Sequence, residues 1–270
     1  MKINDQSALR SIAHEVRQDI IEMGLAAGGE GAHMGGSLSI VEIVVALYFS
    51  VMNNPVHFEG YHDRLILSKG HGVQAQYACL HQLGIIGSEE IRTFKHDGSR
   101  LTAHPAVNSD FGFDFATGSL GQGLSLGVGQ ALAIKRHKDP SSVYVILGDG
   151  ECDEGSIWEA ALSASQYHLN NLIAIIDNNN LQYDDSVEDV MSLDSLSEKW
   201  RAFGWNAIEV DGHSFGDLID AFAINHEKPL VIIAHTTKGK GISFMENNPC
   251  WHHGVVNKKV YGAAMAEMER

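Results

Sequence analysis

The sequence predicts an α/β fold, a parallel sheet with helices on both faces, and three observations predict it. Short runs of Val, Ile and Leu recur without polar alternation, as in strands buried on both sides. Those runs alternate with helical patterns, which is the rhythm of a parallel sheet. Glycine-rich or acidic turns follow the strands directly, at the sheet edge where such folds bind ligands.

The elements follow in order. Asp5 is placed to cap a helix whose apolar residues Leu9, Ile12, Val16 and Ile20 keep a 3–4 spacing. A glycine-rich loop from Ala27 to Gly36 comes next, and Ser37 or Ser39 is expected to open an apolar helix to about Met52. Arg64–Leu67 reads as a strand ending at Ser68-Lys69-Gly70-His71-Gly72, with a helix to about Leu83. Residues 88–115 are mixed and loop-rich. Gly118–His137 reads as a helix with Gly123, Gly127, Gly129, Ala131 and Ala133 on one tightly packed face. Strands are then expected at Val143–Leu147, Leu172–Ile176, Ala207–Val210 and Leu230–Ala234. Helices are expected at Ser156–Gln166, Ser195–Phe203 and Phe215–Asn225. No repeat or Pro-rich linker interrupts the 270 residues, so one large domain spanning 1–270 is expected.

With 19 Lys and Arg against 34 Asp and Glu, the net charge is −15, which argues against nucleic acid or an anionic membrane as partner. Three widely spaced cysteines form no disulfide framework, and the N-terminus has no apolar signal core; a cytoplasmic protein is expected. From Asp177 to Glu198 there are seven acidic residues and no Lys or Arg, which reads as a solvated loop or part of a metal-linked site.

The most specific motif joins two strand ends. Gly148-Asp149-Gly150 follows one strand, and Asp177-Asn178-Asn179-Asn180-Leu181 ends the next. Asp149 and Asn179 can converge if the two strands are neighbours. One carboxylate, one amide oxygen and a main-chain carbonyl form a hard oxygen set with little charge. Such a set suits Mg²⁺ or Ca²⁺ completed by a substrate phosphate, and suits zinc or copper poorly. Read singly, each residue is an ordinary turn or cap.

This stretch resembles the thiamine diphosphate motif, and the chain from about Ile12 to Gly254 is similar to the N-terminal part of the transketolase family, above all to the small subunit of its split members. Ala32-His33-Met34-Gly35-Gly36, Ser68-Lys69-Gly70-His71-Gly72, Ala103-His104-Pro105, Thr117-Gly118-Ser119-Leu120-Gly121-Gln122-Gly123, Lys238-Gly239-Lys240-Gly241 and Trp251-His252-His253-Gly254 carry the likeness in order. The resemblance implies thiamine diphosphate and Mg²⁺ as cofactors, with Ca²⁺ or Mn²⁺ as substitutes. It implies Asp149, Asn179 and the Leu181 carbonyl as metal ligands. Gly148 and Gly150 would approach the phosphates, His71 the diphosphate and thiazolium, and Gly118, Ser119 and Leu120 the aminopyrimidine. His33, His71, His104 and His253 would line the reaction site, where imidazole suits proton transfer near neutrality; His252 is the alternative to His253. Glu154 and Glu159 match family glutamates at a self-association interface that links two active sites, Glu154 with a cofactor-binding part and Glu159 with a catalytic part. His14, His57, His62, His81, His96, His137, His168 and His226 read as surface or capping residues.

The resemblance also implies half an active site. The family's pyrimidine-binding and C-terminal domains are expected on a separate partner subunit, in a heterotetramer that moves a two-carbon ketol unit between small sugars or sugar phosphates. Competing readings are a 1-deoxyxylulose-phosphate synthase-like or 2-oxo-acid dehydrogenase-like component, and a silent binding subunit. A zinc site of Cys250, His252 and His253 lacks a second ligand pair. A dinucleotide-binding dehydrogenase is disfavoured because Gly118–Gly123 has the wrong glycine spacing.

Overall fold

The computed structural model describes residues 2–56, 60–183 and 185–269, so His57 and Asp184 lie outside the described residues. Among the described residues five strands form one sheet: β1 (Arg64–Leu67), β2 (Val143–Gly148), β3 (Leu172–Asn178), β4 (Asn206–Asp211) and β5 (Leu230–His235). Their order is β1-β2-β3-β5-β4, and all neighbours run parallel. The buried Val/Ile/Leu runs of β1, β2, β3 and β5 suit that arrangement, since both of their faces are covered, whereas edge strand β4 is only partly buried, with Glu209 and Asp211 exposed.

The helices divide between the two faces. Leu67, Ile146, Ile175 and Ile232 pack with α1 (Gln6–Ala26), α2 (Met34–Leu38), α3 (Val41–Ala46), α4 (Val73–Gln82), α5 (Ser88–Ile91), α10 (Phe215–Phe222) and α11 (Lys258–Met268). Ile66, Val145, Leu147, Ala174 and Ile176 pack with α6 (Gly123–Arg136), α7 (Gly155–Gln166), α8 (Val187–Met191) and α9 (Leu196–Ala202). The chain therefore leaves β1 toward one face and β2 toward the other. The diverging loops open a crevice at the C-terminal sheet edge.

On the second face, Trp158, Trp200, Phe203 and Trp205 form a cluster with ring centroids 4.8–5.4 Å apart. Trp158 Nε1 donates to the Cys152 carbonyl at 2.9 Å, and Trp205 Nε1 to the Ala161 carbonyl at 3.0 Å.

Several expectations need correction. Asp5 does cap the first helix through the Ser7 amide. Neither Ser37 nor Ser39 opens a helix: Ser37 lies inside α2 and Ser39 ends it. The expected single helix is split into α2, α3 and a wide turn at Leu47–Val51, and Ser39 Oγ donates instead to buried Asp177 at 2.7 Å. The helix expected from Gly118 begins at Gly123, because residues 118–122 form a loop with positive φ at Gly118 and Gly121. Gly127 does sit tightly, since a Cβ there would lie 2.6 Å from Val145 Cγ2. Gly129 and Ala133 are exposed: at about 100° per residue they fall opposite Gly123, Gly127 and Ala131. The acidic stretch is not all loop, since it holds α8 and the start of α9. The C-terminal helix α11 had no counterpart among the expectations. Among the described residues no helix is long and apolar enough to cross a membrane.

Candidate functional site

Register brings the two halves of the acidic motif together. Gly148 pairs with Asp177 and Asp177 with Ala234, so the loops after β2, β3 and β5 leave the sheet at one level. Asp149 and Asn179 then line one cavity of about 280 Å³, together with Lys69, His71, Lys238 and His252. Asp149 is buried; it accepts from the Gly150 amide at 2.8 Å and the Asn180 amide at 2.6 Å. Burial, then the nearby Asp177 charge, pushes its carboxyl up to about 6.

Beneath them Asp177 is fully buried and accepts from Lys69 Nζ, Ser39 Oγ, Thr236 Oγ1 and Asn179 Nδ2. Burial alone would raise this carboxyl, but the Lys69 charge and these donors outweigh it and hold it below the usual value. Because Asp177 takes the amide nitrogen of Asn179 at 2.9 Å, the amide oxygen is left as an acceptor, now met by the Leu181 amide at 3.2 Å. The Leu181 carbonyl accepts from Lys238 Nζ at 2.7 Å. Burial, then repulsion from Lys69, lowers the Lys238 ammonium to about 8 despite the pull of Asp149 and Asp177.

Five imidazoles cluster with His33 at the centre, and two of them, His71 and His252, line the cavity. The His33 ring centroid lies 5.4 Å from His71, 5.6 Å from His104, 5.7 Å from His252 and 4.7 Å from His253. A two-way backbone pairing of Ala32 with Gly254 at 2.9 Å brings their loops side by side. Burial is the first cause that lowers all five. His33 falls to about 4, helped by the His253 and His104 charges, and His252 to about 3, helped by Lys238. His71 lies well below its ordinary value, with Lys69 as the next cause. His104 and His253 are lowered as well, each with Lys95 as second cause. His252 is on the cavity wall, stacked on His71 at 5.3 Å; His253 is exposed, outside the lining, against His33.

Other sequence candidates spread around this centre. Gly148, Gly150, Leu120 and Leu181 line the cavity. Gly118 packs on the His104 ring, and Ser119 is exposed beside it. Glu154 and Glu159 are exposed, the first at the N-terminus of α7, and neither lines the cavity. Among the described residues no three His, Cys, Asp or Glu side chains are placed to hold a metal, which leaves the Cys250–His252–His253 zinc reading without geometry.

Sequence reasoning gave no role to Lys69, Glu151, Asp177, Lys238, His213 or His235. Glu151 is the plainest omission. Buried in the cavity wall, it accepts from Ser68 Oγ, the Gly121 amide and the Gly148 amide, the latter two at 2.9 Å, and so ties three site loops together. Its position directly after Gly148-Asp149-Gly150 was the available signal.

The sequence model of the family described as "Transketolase, thiamine diphosphate binding domain" matches residues 12–265. The chain belongs to the transketolase family. It is 44% identical over 246 residues to one subunit of the apulose-4-phosphate transketolase of Phocaeicola vulgatus, covering 88% of this chain and 86% of that protein. It is 42% identical over 243 residues to the 6-deoxy-6-sulfo-D-fructose transketolase subunit SqwG of a Clostridium species, covering 88% of each. The crystal structure of Campylobacter jejuni transketolase superposes with a TM-score of 0.89 at 26% identity, over 98% of this chain and 43% of that one. The chain thus spans under half the length of the solved relative. Transketolase-family membership makes it an enzyme chain, and the dinucleotide-binding dehydrogenase is set aside.

Proposed function

We propose that the chain is the thiamine diphosphate-binding subunit of a two-subunit transketolase that moves a two-carbon ketol unit from a small ketose to an aldose acceptor. The observation that carries this reading is the convergence of Asp149, Asn179 and the Leu181 carbonyl in one cavity beside Lys69, Lys238 and the imidazoles. The names of the relatives, a sugar phosphate and a sugar sulfonate, favour a donor or acceptor with a terminal anion.

The residues present fit the cofactor. The oxygen set is hard, as Mg²⁺ requires when a diphosphate completes its shell. Glycine is what lets the wall pack this tightly: a Cβ at Gly150 would lie 2.7 Å from the Gln182 side chain, and one at Gly36 3.0 Å from the His71 ring. His252 Nδ1 is buried with no hydrogen-bond partner, a polar atom in want of a ligand. Asp149, Asn179 and the Leu181 carbonyl would hold Mg²⁺; Ca²⁺ and Mn²⁺ suit the same set. Lys69, Lys238 and the Gly150 amide would face the diphosphate, and Leu120 with the Gly118–Ser119 backbone the aminopyrimidine.

Thiamine diphosphate, once bound, would supply the thiazolium chemistry of ketol transfer. This chain's imidazoles handle protons and hydroxyls beside it. Low basicity keeps His33, His71 and His252 neutral near pH 7, so each has one donor and one acceptor nitrogen for sugar hydroxyls. His104, half-buried at the rim, and His253 beside His33 would meet substrate.

The reading places the chain in the cytoplasm and needs a second chain carrying the pyrimidine-binding and C-terminal domains. Residues 1–270 form the diphosphate-binding domain, and the exposed Glu154–Glu159 face is where self-association would bury those carboxylates. The test is reconstitution with the second chain, assayed for ketol transfer with thiamine diphosphate and Mg²⁺. Asp149→Ala is expected to abolish Mg²⁺-dependent cofactor binding. Unchanged affinity in that variant would remove the metal assignment, and full transfer by this chain alone would remove the two-subunit reading.

A further inference from the structure

The loop that carries Lys238 is anchored from behind the cavity. Thr237 donates its backbone N–H to His213 Nε2 at 2.8 Å. A ring nitrogen that accepts has no proton, so the neutral ring has its proton on Nδ1, and Nδ1 lies 2.9 Å from Glu42 Oε2. The two contacts select one tautomer. Glu42 Oε1 accepts from Arg17 Nη2 at 2.6 Å, and Arg17 Nε donates to the Lys240 carbonyl at 3.1 Å. Residues 237 and 240, on either side of Lys238-Gly239, are thus both tied to Glu42, one through His213 and one through Arg17.

These residues come from separate places. Arg17 is on α1, Glu42 on α3, and His213 on the loop between β4 and α10. Their side chains are 11%, 10% and 15% exposed, and none lines the cavity. A buried ion pair is a costly way to fill such space, since apolar residues of equal volume serve packing as well or better. What it supplies here is direction. Lysine has a long flexible stem, so the place of its ammonium depends on where its backbone is fixed. Gly239 adds to that fixation, with φ +81° and its amide bonded to the Gly35 carbonyl at 3.0 Å.

We propose that Glu42 and His213 are positioning residues for the cofactor site: the Glu42–His213–Thr237 chain, braced by Arg17 on Lys240, holds Lys238 at the Leu181 end of the cavity, where it would face the diphosphate. The role given to Lys238 rests on the thiamine diphosphate reading, whereas the anchoring itself does not.

The test uses the full chain. His213→Leu removes the acceptor, and His213→Gln places one near the old Nε2. In the leucine variant, hydrogen exchange at the Thr237 amide is expected to quicken at least about fivefold, and Lys238 to become open to acetylation by an activated ester, read by mass spectrometry. The amide of Ile232 in β5 should stay protected. In the complex with the second chain, thiamine diphosphate affinity with Mg²⁺ should fall about tenfold or more, with turnover at saturating cofactor much less affected. His213→Gln should restore most of each effect. Unaltered Thr237 exchange and Lys238 labelling in His213→Leu would overturn the anchoring, and altered labelling with wild-type cofactor affinity would overturn the positioning role. If the leucine variant fails to fold, ¹⁵N NMR of the wild-type imidazole decides: a proton on Nε2 of His213 sinks the chain of contacts. A wild-type complex that binds no cofactor would count against the functional reading, with Thr237 and Lys238 still deciding the anchoring.

Discussion

Removing the ammonium beneath the cavity tests how the site is built. Lys69→Met keeps the stem and deletes the charge. Lys69 Nζ donates to Asp177 and to the Gly36 carbonyl, and the two side chains are 2% and 0% exposed. Asp177 would keep its donors from Ser39, Thr236 and Asn179. Its charge would stay hydrogen-bonded but lose its counter-ion. Breaking one half of a buried pair costs about 3–5 kcal/mol, and three surviving donors set the expectation at the lower end, about 3 kcal/mol. Asp177→Asn should cost a similar amount by stranding the ammonium. The double variant removes both charges, so it should recover about 1.5–3 kcal/mol relative to the sum of the singles. Urea unfolding of the three variants and the wild type measures each term, and burial should leave the coupling nearly independent of salt. Additivity within about 0.5 kcal/mol would refute the reasoning, because the charges would then not be interacting as the geometry requires.

Other outcomes follow from the same structure. Gly127→Val should destabilise by about 1–3 kcal/mol through overpacking on Val145, while Gly129→Ala, with open space around it, should stabilise by about 0.5–1 kcal/mol; thermal unfolding reads both. His33 and His252 are lowered from 6.5 to about 4 and about 3, so the unfolded chain takes up protons that the folded chain refuses. Their contribution to stability is full above pH 6.5 and is lost as the pH falls through about 4 for His33 and about 3 for His252, and the acid slope of the unfolding midpoint should flatten in His33→Asn. His104→Ala should lower turnover more than cofactor affinity, as steady-state kinetics at varied cofactor would show; equal losses would move His104 to the cofactor.

Much of the fold was legible because it rests on local pattern. The unbroken apolar runs at 143–147, 172–176 and 230–234 could be nothing but buried strands, and the structure extends each by a residue or two. Errors arose where a side chain had a better use than its local one. Ser39 has a capping residue's chemistry, but its hydroxyl serves Asp177, 138 positions away. Gly129 is as small as Gly127, yet the helical angle sends it to the other side. In the site, Asp149 and Asn179 stood out through turn glycines and oxygen chemistry. The pairing of Gly148 with Asp177 that joins them is a matter of register. Lys69 with Asp177 and Glu42 with His213 are 108 and 171 residues apart in sequence, and no spacing rule reaches that far.

The aromatic cluster behind the sheet gives the site an optical readout. Of the chain's four tryptophans, Trp158 is hydrogen-bonded to the carbonyl of Cys152, three residues past Asp149. Trp251 directly precedes the cavity-wall residue His252. Any ligand that shifts the Asp149 loop therefore alters the field on an indole on one side, and any that moves His252 does so on the other. Substituting either tryptophan by phenylalanine separates the two signals. Loading of the cavity becomes a two-channel fluorescence measurement without an attached label.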